Sequence, residues 1–172
     1  MIAKQFLITG MLMAVVGMLM SAIFRVQLAN PGESSMLYNL LPSGWINEVG
    51  VLNPDKYLAL VTMHGTILVF WVLTAGLSGT FANFLIPLQI GARDMASGFL
   101  NMLSYWFFFA ATVVLISSIY VQGGPASGGW TIYPPLSALP QSIPGSGTGM
   151  TLWLVSITLF IVGSLLGGLN YI

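Results

Sequence analysis

The chain has 172 residues, 56% hydrophobic and 5% charged, with a mean hydropathy of +0.91; soluble domains carry roughly a quarter charged residues, so the composition excludes a water-soluble globule and places the chain in a bilayer. Four basic and four acidic residues cancel, with no basic run, which excludes a nucleic-acid partner and a polybasic lipid-binding segment and leaves lipid and other membrane subunits as partners. Cysteine is absent, so disulfides, thiolate metal sites and a cysteine nucleophile are excluded, and any chemistry falls to imidazole, carboxylate, hydroxyl, amide or a bound cofactor.

A spanning helix needs about 20 mostly apolar residues, and four segments meet that length: 5–28, 57–90, 97–121 and 149–172. The expected fold is an all-α polytopic transmembrane helix bundle, a single membrane domain over 1–172. In the first segment Lys4 precedes an apolar stretch longer than the signal-peptide core of about 7–15 residues, without a small-x-small cleavage site, so it is read as a retained helix. Its methionines are read as flexible packing residues. Arg25, near the end of that helix, is taken as buried within it, the alternative being a snorkelling arginine at the interface.

Ala29 to Asp55 is polar and carries Asn30-Pro31-Gly32, Leu41-Pro42-Ser43-Gly44 and Asn53-Pro54-Asp55, the marks of a sizeable loop. Lys4 and Arg93 fall on one membrane face and Arg25 and Lys56 near the other. With Arg25 set aside and Glu33, Glu48 and Asp55 in the loop, the expected orientation has the N-terminus cytoplasmic, both long loops outside and the C-terminus cytoplasmic.

The second segment holds the only histidine, His64, in Thr62-Met63-His64-Gly65-Thr66, within a run from Tyr57 to Ala92 that has no other charge-bearing side chain. An ionisable group inside a membrane helix is a functional candidate by default, and imidazole is the commonest metal ligand. Two readings stand: a core histidine bonded to a hydroxyl such as Thr62 or Thr66, or an axial ligand to haem. Gly76 and Gly79, with Ala75 and Ala82, thin the far end of this helix for the approach of another backbone.

Gln89 to Asp94 must turn the chain back at one face. Asp94 beside Arg93 reads as an interfacial ion pair or an N-cap of the third helix. Alternatively, with Asn83, Asn101 and Ser104, it opens a file of waters into the bundle. Gln122 to Gly149 is rich in Gly, Pro and Ser and uncharged, so it is expected to pack on protein or a cofactor. Within it Trp130 and Tyr133 read as an aromatic belt. From Met95 to Ile172 there is no charged side chain at all.

Thr62-Met63-His64-Gly65-Thr66-Ile67-Leu68-Val69-Phe70, then Asn83 through Ala96 (NFLIPLQIGARDMA), then Gly129 through Ser137 (GWTIYPPLS), in that order, closely resemble subunit I of the haem-copper oxygen reductases, the cytochrome c oxidase family. The resemblance covers essentially the whole chain and identifies it as the N-terminal portion, four helices of a twelve-helix fold. It implies that His64 is an axial ligand of a low-spin haem, haem a, and that Arg25 and Trp130 contact that haem. It further implies that Asp94, Asn83, Asn101, Ser104, Ser164 and Asn170 belong to a proton-uptake path. The high-spin haem, the copper ion CuB and their ligands, and the second axial ligand, would lie beyond this chain.

The chain departs from the family pattern at several places. Gln27 stands where many members have a glutamate of an outer-face cation site. Ser97-Gly98-Phe99 replaces the commoner Phe-Pro-Arg, Met102 replaces a frequent second Asn, and Phe160 and Gly163 fall where some members have serines. The function implied is the catalytic subunit of a proton-pumping terminal oxidase in a bacterial inner membrane. Electrons would pass from cytochrome c, through low-spin haem, to a haem-copper centre that reduces oxygen to water. Partners would be subunits II and III and lipid. The pattern reads the chain as ending inside the fourth helix, a fragment expected to be inactive alone. Alternatives are a quinol oxidase of the same superfamily and a non-redox four-helix membrane protein.

Overall fold

The computed structural model describes residues 2–139 and 147–172. Among the described residues, four helices are long and apolar enough to cross a membrane: α1 (Ile2–Ala29), α2 (Pro54–Ile90), α3 (Gly98–Tyr120) and α4 (Thr148–Tyr171). Among the described residues the only extended pairing is an isolated bridge between Ile46 and Leu52. α2 begins three residues before its apolar run because Pro54 occupies the first helical position, where its missing N–H costs nothing. It ends at Gly91, in the left-handed region at φ 70°. There the Gly91 amide donates to the Leu88 carbonyl and the Ala92 amide to the Pro87 carbonyl, a Schellman closure that needs glycine.

Ile67–Ser78, the middle of α2, is π-helical. The side chains follow the wider winding: Thr74 Oγ1 donates to the Val69 carbonyl at 2.8 Å and Ser78 Oγ to the Leu73 carbonyl at 3.5 Å, each five residues back. Nothing in the apolar periodicity of this stretch announces it, since the composition suits an α-helix equally well. π-segments are frequent at functional sites.

The chain forms two compact units. One comprises residues 2–15, 67–115 and 154–172. In it α1 crosses α2 where two glycines meet: a Cβ on Gly10 would stand 2.7 Å from the Gly76 Cα, and one on Gly79 would stand 2.8 Å from the Phe6 ring. The small residues of α2 therefore serve close packing, as the sequence suggests. Phe6 also meets Tyr105 edge-on and stacks on Phe108, while Thr9 and Tyr105 share a buried hydroxyl–hydroxyl bond of 3.1 Å. Trp71, fully buried, donates its indole N–H to Thr112 Oγ1 at 2.9 Å. On α4, Gly163 and Gly167 face Ser104 of α3 at 3.0–3.1 Å from where their Cβ atoms would be.

The other unit comprises 16–66, 116–139 and 147–153. The 29–55 loop is built rather than loose. Ser35 caps a 3-10 turn (Met36–Leu40), Asn47 Oδ1 accepts from the Val49 and Val51 amides, and Tyr38, Trp45 and Leu52 are buried. Gln27 of α1 pins the loop: its Oε1 accepts from the Tyr38 hydroxyl at 2.8 Å and from the Leu52 amide at 3.3 Å. A neutral amide thus organises this position. In the loop after α3, Gly124 to Ser127 are buried, whereas most residues from Trp130 to Leu139 are exposed, so the expected packing holds only for the start of the loop; residues 140–146 lie outside the described residues. Lys56 reaches into the start of this loop, bonding the Gly123 carbonyl and pairing with Asp55 at 3.0 Å.

Candidate functional site

His64 lies on α2 within the second unit. Its Nδ1 is 2.9 Å from the carbonyl oxygen of Gly17 on α1. A carbonyl only accepts, so Nδ1 carries a proton and Nε2 is the nitrogen left for a further partner. The core-histidine reading named Thr62 and Thr66 as partners, but both are engaged elsewhere: Thr62 Oγ1 accepts from the Gly129 amide at 2.9 Å and Thr66 Oγ1 from the Trp153 indole at 3.1 Å. Phe24 of α1 meets the imidazole edge-on at 5.5 Å and holds the ring plane.

Of the other two expected haem contacts, Trp130 lies beside the turn of His64, and no contact links Arg25 to it among the described residues. Trp130, about half exposed at 47%, comes against the turn that bears His64: a Cβ on Gly65 would be 3.5 Å from its Cδ1. The neighbouring Gly129 amide on Thr62 ties this loop to α2. Arg25 follows Phe24 in sequence, but it is not buried within α1 as expected. It is exposed, with its Nε donating to Ser21 Oγ one turn back at 3.1 Å; its long stem lets the guanidinium leave the apolar helix surface. Among the described residues no three His, Asp or Glu side chains converge, so His64 offers one imidazole, the contribution a haem iron takes from one side.

The carboxylate and amide constellation lies in the first unit. Asp94 is exposed, and its Oδ1 accepts from the Met95 amide at 2.8 Å. Among the described residues it makes no ion pair with Arg93, and the N-cap of α3 is Ser97, whose Oγ accepts from the Leu100 amide at 3.2 Å. Neither the ion pair nor the α3 cap expected of Asp94 is present among the described residues. What Asp94 does is stand at a pocket of about 400 Å³ whose walls include Asn83 and the buried Asn101. A second pocket, about 70 Å³, is shared by Asp94 and Asn170. Ser104 and Ser164 are not with them: they line a third, of about 150 Å³, together with Thr74 and Ser78 of the π-segment. Phe160 walls this third pocket and packs on Phe70 and Trp71.

Two of these amides are half-satisfied. Asn83 Nδ2 donates to the Gly79 carbonyl at 2.7 Å and Asn170 Oδ1 accepts from the Ser97 amide at 2.7 Å, yet Asn83 Oδ1 and Asn170 Nδ2 are buried without a partner among the described residues. A dry orphan of this kind costs about 1–3 kcal/mol. Both residues line pockets with room for water, and buried waters bond just such groups. Sequence reasoning missed the Gly17 carbonyl, which no side-chain motif encodes, the π-segment, and Tyr171, which lines two of the three pockets.

All 172 residues match the family described as Cytochrome C and Quinol oxidase polypeptide I. The chain is similar to the alternative cytochrome c oxidase subunit 1 of Bradyrhizobium diazoefficiens, 42% identical over 99% of this chain and 26% of that protein. It also resembles the cytochrome c oxidase subunit 1 of Thermostichus vulcanus, at 36% identity over 99% of this chain and 27% of that protein. A haem-copper oxidase subunit I+III of Aeropyrum pernix is 34% identical over 99% of this chain and 18% of that protein. The chain spans about a quarter of the length of the first two.

Proposed function

The chain belongs to the cytochrome c and quinol oxidase polypeptide I family, a family of haem-binding membrane oxidoreductases, and from that membership and the geometry above we propose that it forms the low-spin haem and proton-uptake portion of a terminal oxidase reducing oxygen to water. The observation that carries the reading is the bond from His64 Nδ1 to the Gly17 carbonyl. Iron-bound histidines almost always donate their other N–H to a carbonyl or carboxylate, which fixes the tautomer and makes the ligating nitrogen more basic.

His64 would hold the haem iron through Nε2, Trp130 and Arg25 would contact the macrocycle, and the group would supply one-electron transfer when bound. Phe24 keeps the imidazole from turning. Gln27 holds the adjoining loop without adding a charge. Arg25, free of any carboxylate among the described residues, retains its charge for an anionic group at the haem edge.

Asp94 would take protons from the aqueous face, its exposed carboxylate exchanging them with water. Asn83, Asn101 and Asn170 would order the waters behind it, and Ser104 and Ser164 would continue the file. A charge inside the bilayer is costly, so conduction by neutral hydroxyls, amides and waters is the economical arrangement. Cytochrome c as electron donor is supported by the names of the relatives, and association with subunits II and III and residence in a bacterial inner membrane follow from the same reading.

The test is a reduced-minus-oxidised optical spectrum of the complete oxidase carrying His64 or His64→Ala. Loss of the low-spin band with the high-spin signal retained supports the assignment. An unchanged spectrum makes His64 structural.

A further inference from the structure

Lys4 in the first turn of α1 and Arg93 in the turn after α2 wall the same pocket, the one of about 400 Å³ in the first unit. Both are exposed, and among the described residues neither makes an ion pair. The only acid on the pocket wall is Asp94, whose Oδ1 accepts from the Met95 amide, so the pocket carries one net positive charge. That is a concentration of charge in a chain with four basic residues in all. The other part of the wall is apolar: Phe84 and Leu88, four residues apart on α2, line the pocket and are exposed. Phe81, also exposed, continues their stripe along the same helix face. At 1.5 Å per residue the stripe runs for roughly 10 Å.

We propose that this pocket and stripe hold one anionic phospholipid, its phosphate between Lys4 and Arg93 and an acyl chain along Phe81, Phe84 and Leu88. Charge complementarity selects the head group, and the adjoining apolar stripe selects an amphiphile. A free anion would use the two cations alone, and a neutral lipid the stripe alone. The setting agrees, because the pocket lies at the end of the helices expected on the cytoplasmic side, where anionic lipids concentrate and basic pockets between transmembrane helices take up their head groups. The guanidinium of Arg93 suits two phosphate oxygens at once, and the ammonium of Lys4 adds a mobile point charge. The inference is independent of any proton transfer at Asp94.

The experiment uses the full-length subunit in its assembled complex, in nanodiscs of phosphatidylcholine doped with a photoreactive lipid that carries a diazirine on its acyl chain. The doped lipid is either phosphatidylglycerol or phosphatidylcholine, and crosslinks are mapped by peptide and normalised to protein. Wild type is expected to show roughly fivefold more phosphatidylglycerol than phosphatidylcholine on residues 81–90, the weight of one net positive charge near an anionic lipid. Lys4→Gln combined with Arg93→Gln should abolish that preference. Both side chains are exposed, so the complex is expected to assemble, and its haem content checks that it has. Lys4→Arg combined with Arg93→Lys keeps the charges while changing both shapes, and should keep the preference. Equal labelling of wild type by the two lipids makes the stripe ordinary bilayer contact, and no labelling by either means that another subunit covers this face. Either result overturns the proposal, as does a preference that survives the double glutamine variant.

Discussion

The backbone amide of Ser97, at the start of α3, donates to Oδ1 of Asn170, near the end of α4, at 2.7 Å. One side chain thus clasps two helices and walls the small pocket at Asp94. The two duties predict a double loss. Asn170→Leu leaves the Ser97 amide without its acceptor at a cost of about 1–3 kcal/mol, read as a lower thermal midpoint of the detergent-solubilised complex. It also removes the amide that bonds pocket water, read as slower proton uptake at unchanged haem content. A fall in stability with normal uptake would leave Asn170 a clasp only.

Gly10 and Gly76 set the distance between α1 and α2, since each lacks the Cβ that would meet the other helix's backbone at 2.7 and 3.1 Å. A methyl at position 76 also meets the Trp71 carbonyl of its own π-turn at 2.8 Å, so neither side can yield by a rotamer change. Gly76→Ala is expected to destabilise by about 1–3 kcal/mol, the usual cost of overpacking. Gly98→Ala, at the start of α3 where nothing lies within 4 Å, serves as the control and should be neutral or slightly stabilising because alanine favours helix. Equal effects from the two would remove the close-approach argument.

The helices were legible because about 20 apolar residues in a row have one good solution in a bilayer, and the α2 stop was legible because Gly91 supplies the left-handed residue that a helix end demands. His64 stood out because an isolated imidazole among apolar side chains is costly. What sequence could not give were partners that are backbone or water: the Gly17 carbonyl under His64, the orphaned atoms of Asn83 and Asn170, and the π-winding between Ile67 and Ser78. Arg25 was misplaced for a related reason. Its position in α1 was readable, but which side of the helix neighbouring elements cover was not.

Tyr38 supplies a pH dependence. Burial pushes its phenol above the ordinary value of 10.0, and its hydroxyl donates to Gln27, a bond the phenolate cannot make. The folded loop therefore holds this proton more tightly than the unfolded chain does. The contribution is complete below pH of about 10 and is lost as pH rises through the folded value. Thermal midpoints of wild type and Tyr38→Phe, compared from pH 8 to 11 in the same detergent, should converge at the alkaline end, since phenylalanine has nothing to ionise. The other tyrosines cancel in the difference. A constant offset across the range would assign Tyr38 a packing role alone.

Asn83 lets stability and function be pulled apart. Its Nδ2 bonds the Gly79 carbonyl, but its buried Oδ1 has no partner among the described residues, so the folded chain alone gains little from the amide. Asn83→Leu removes the orphan and adds apolar surface inside a bilayer protein, and replacing a poorly satisfied polar group by an apolar one of similar size is close to neutral or stabilising. The thermal midpoint is accordingly expected to hold or rise. Proton uptake should fall nonetheless, because the leucine offers no acceptor to the waters behind Asp94 and takes up volume in the pocket of about 400 Å³. A residue kept for structure would show the opposite pairing, loss of stability with uptake intact. A stable variant with slow uptake therefore identifies Asn83 as an amide retained for water, at the expense of a better-packed helix.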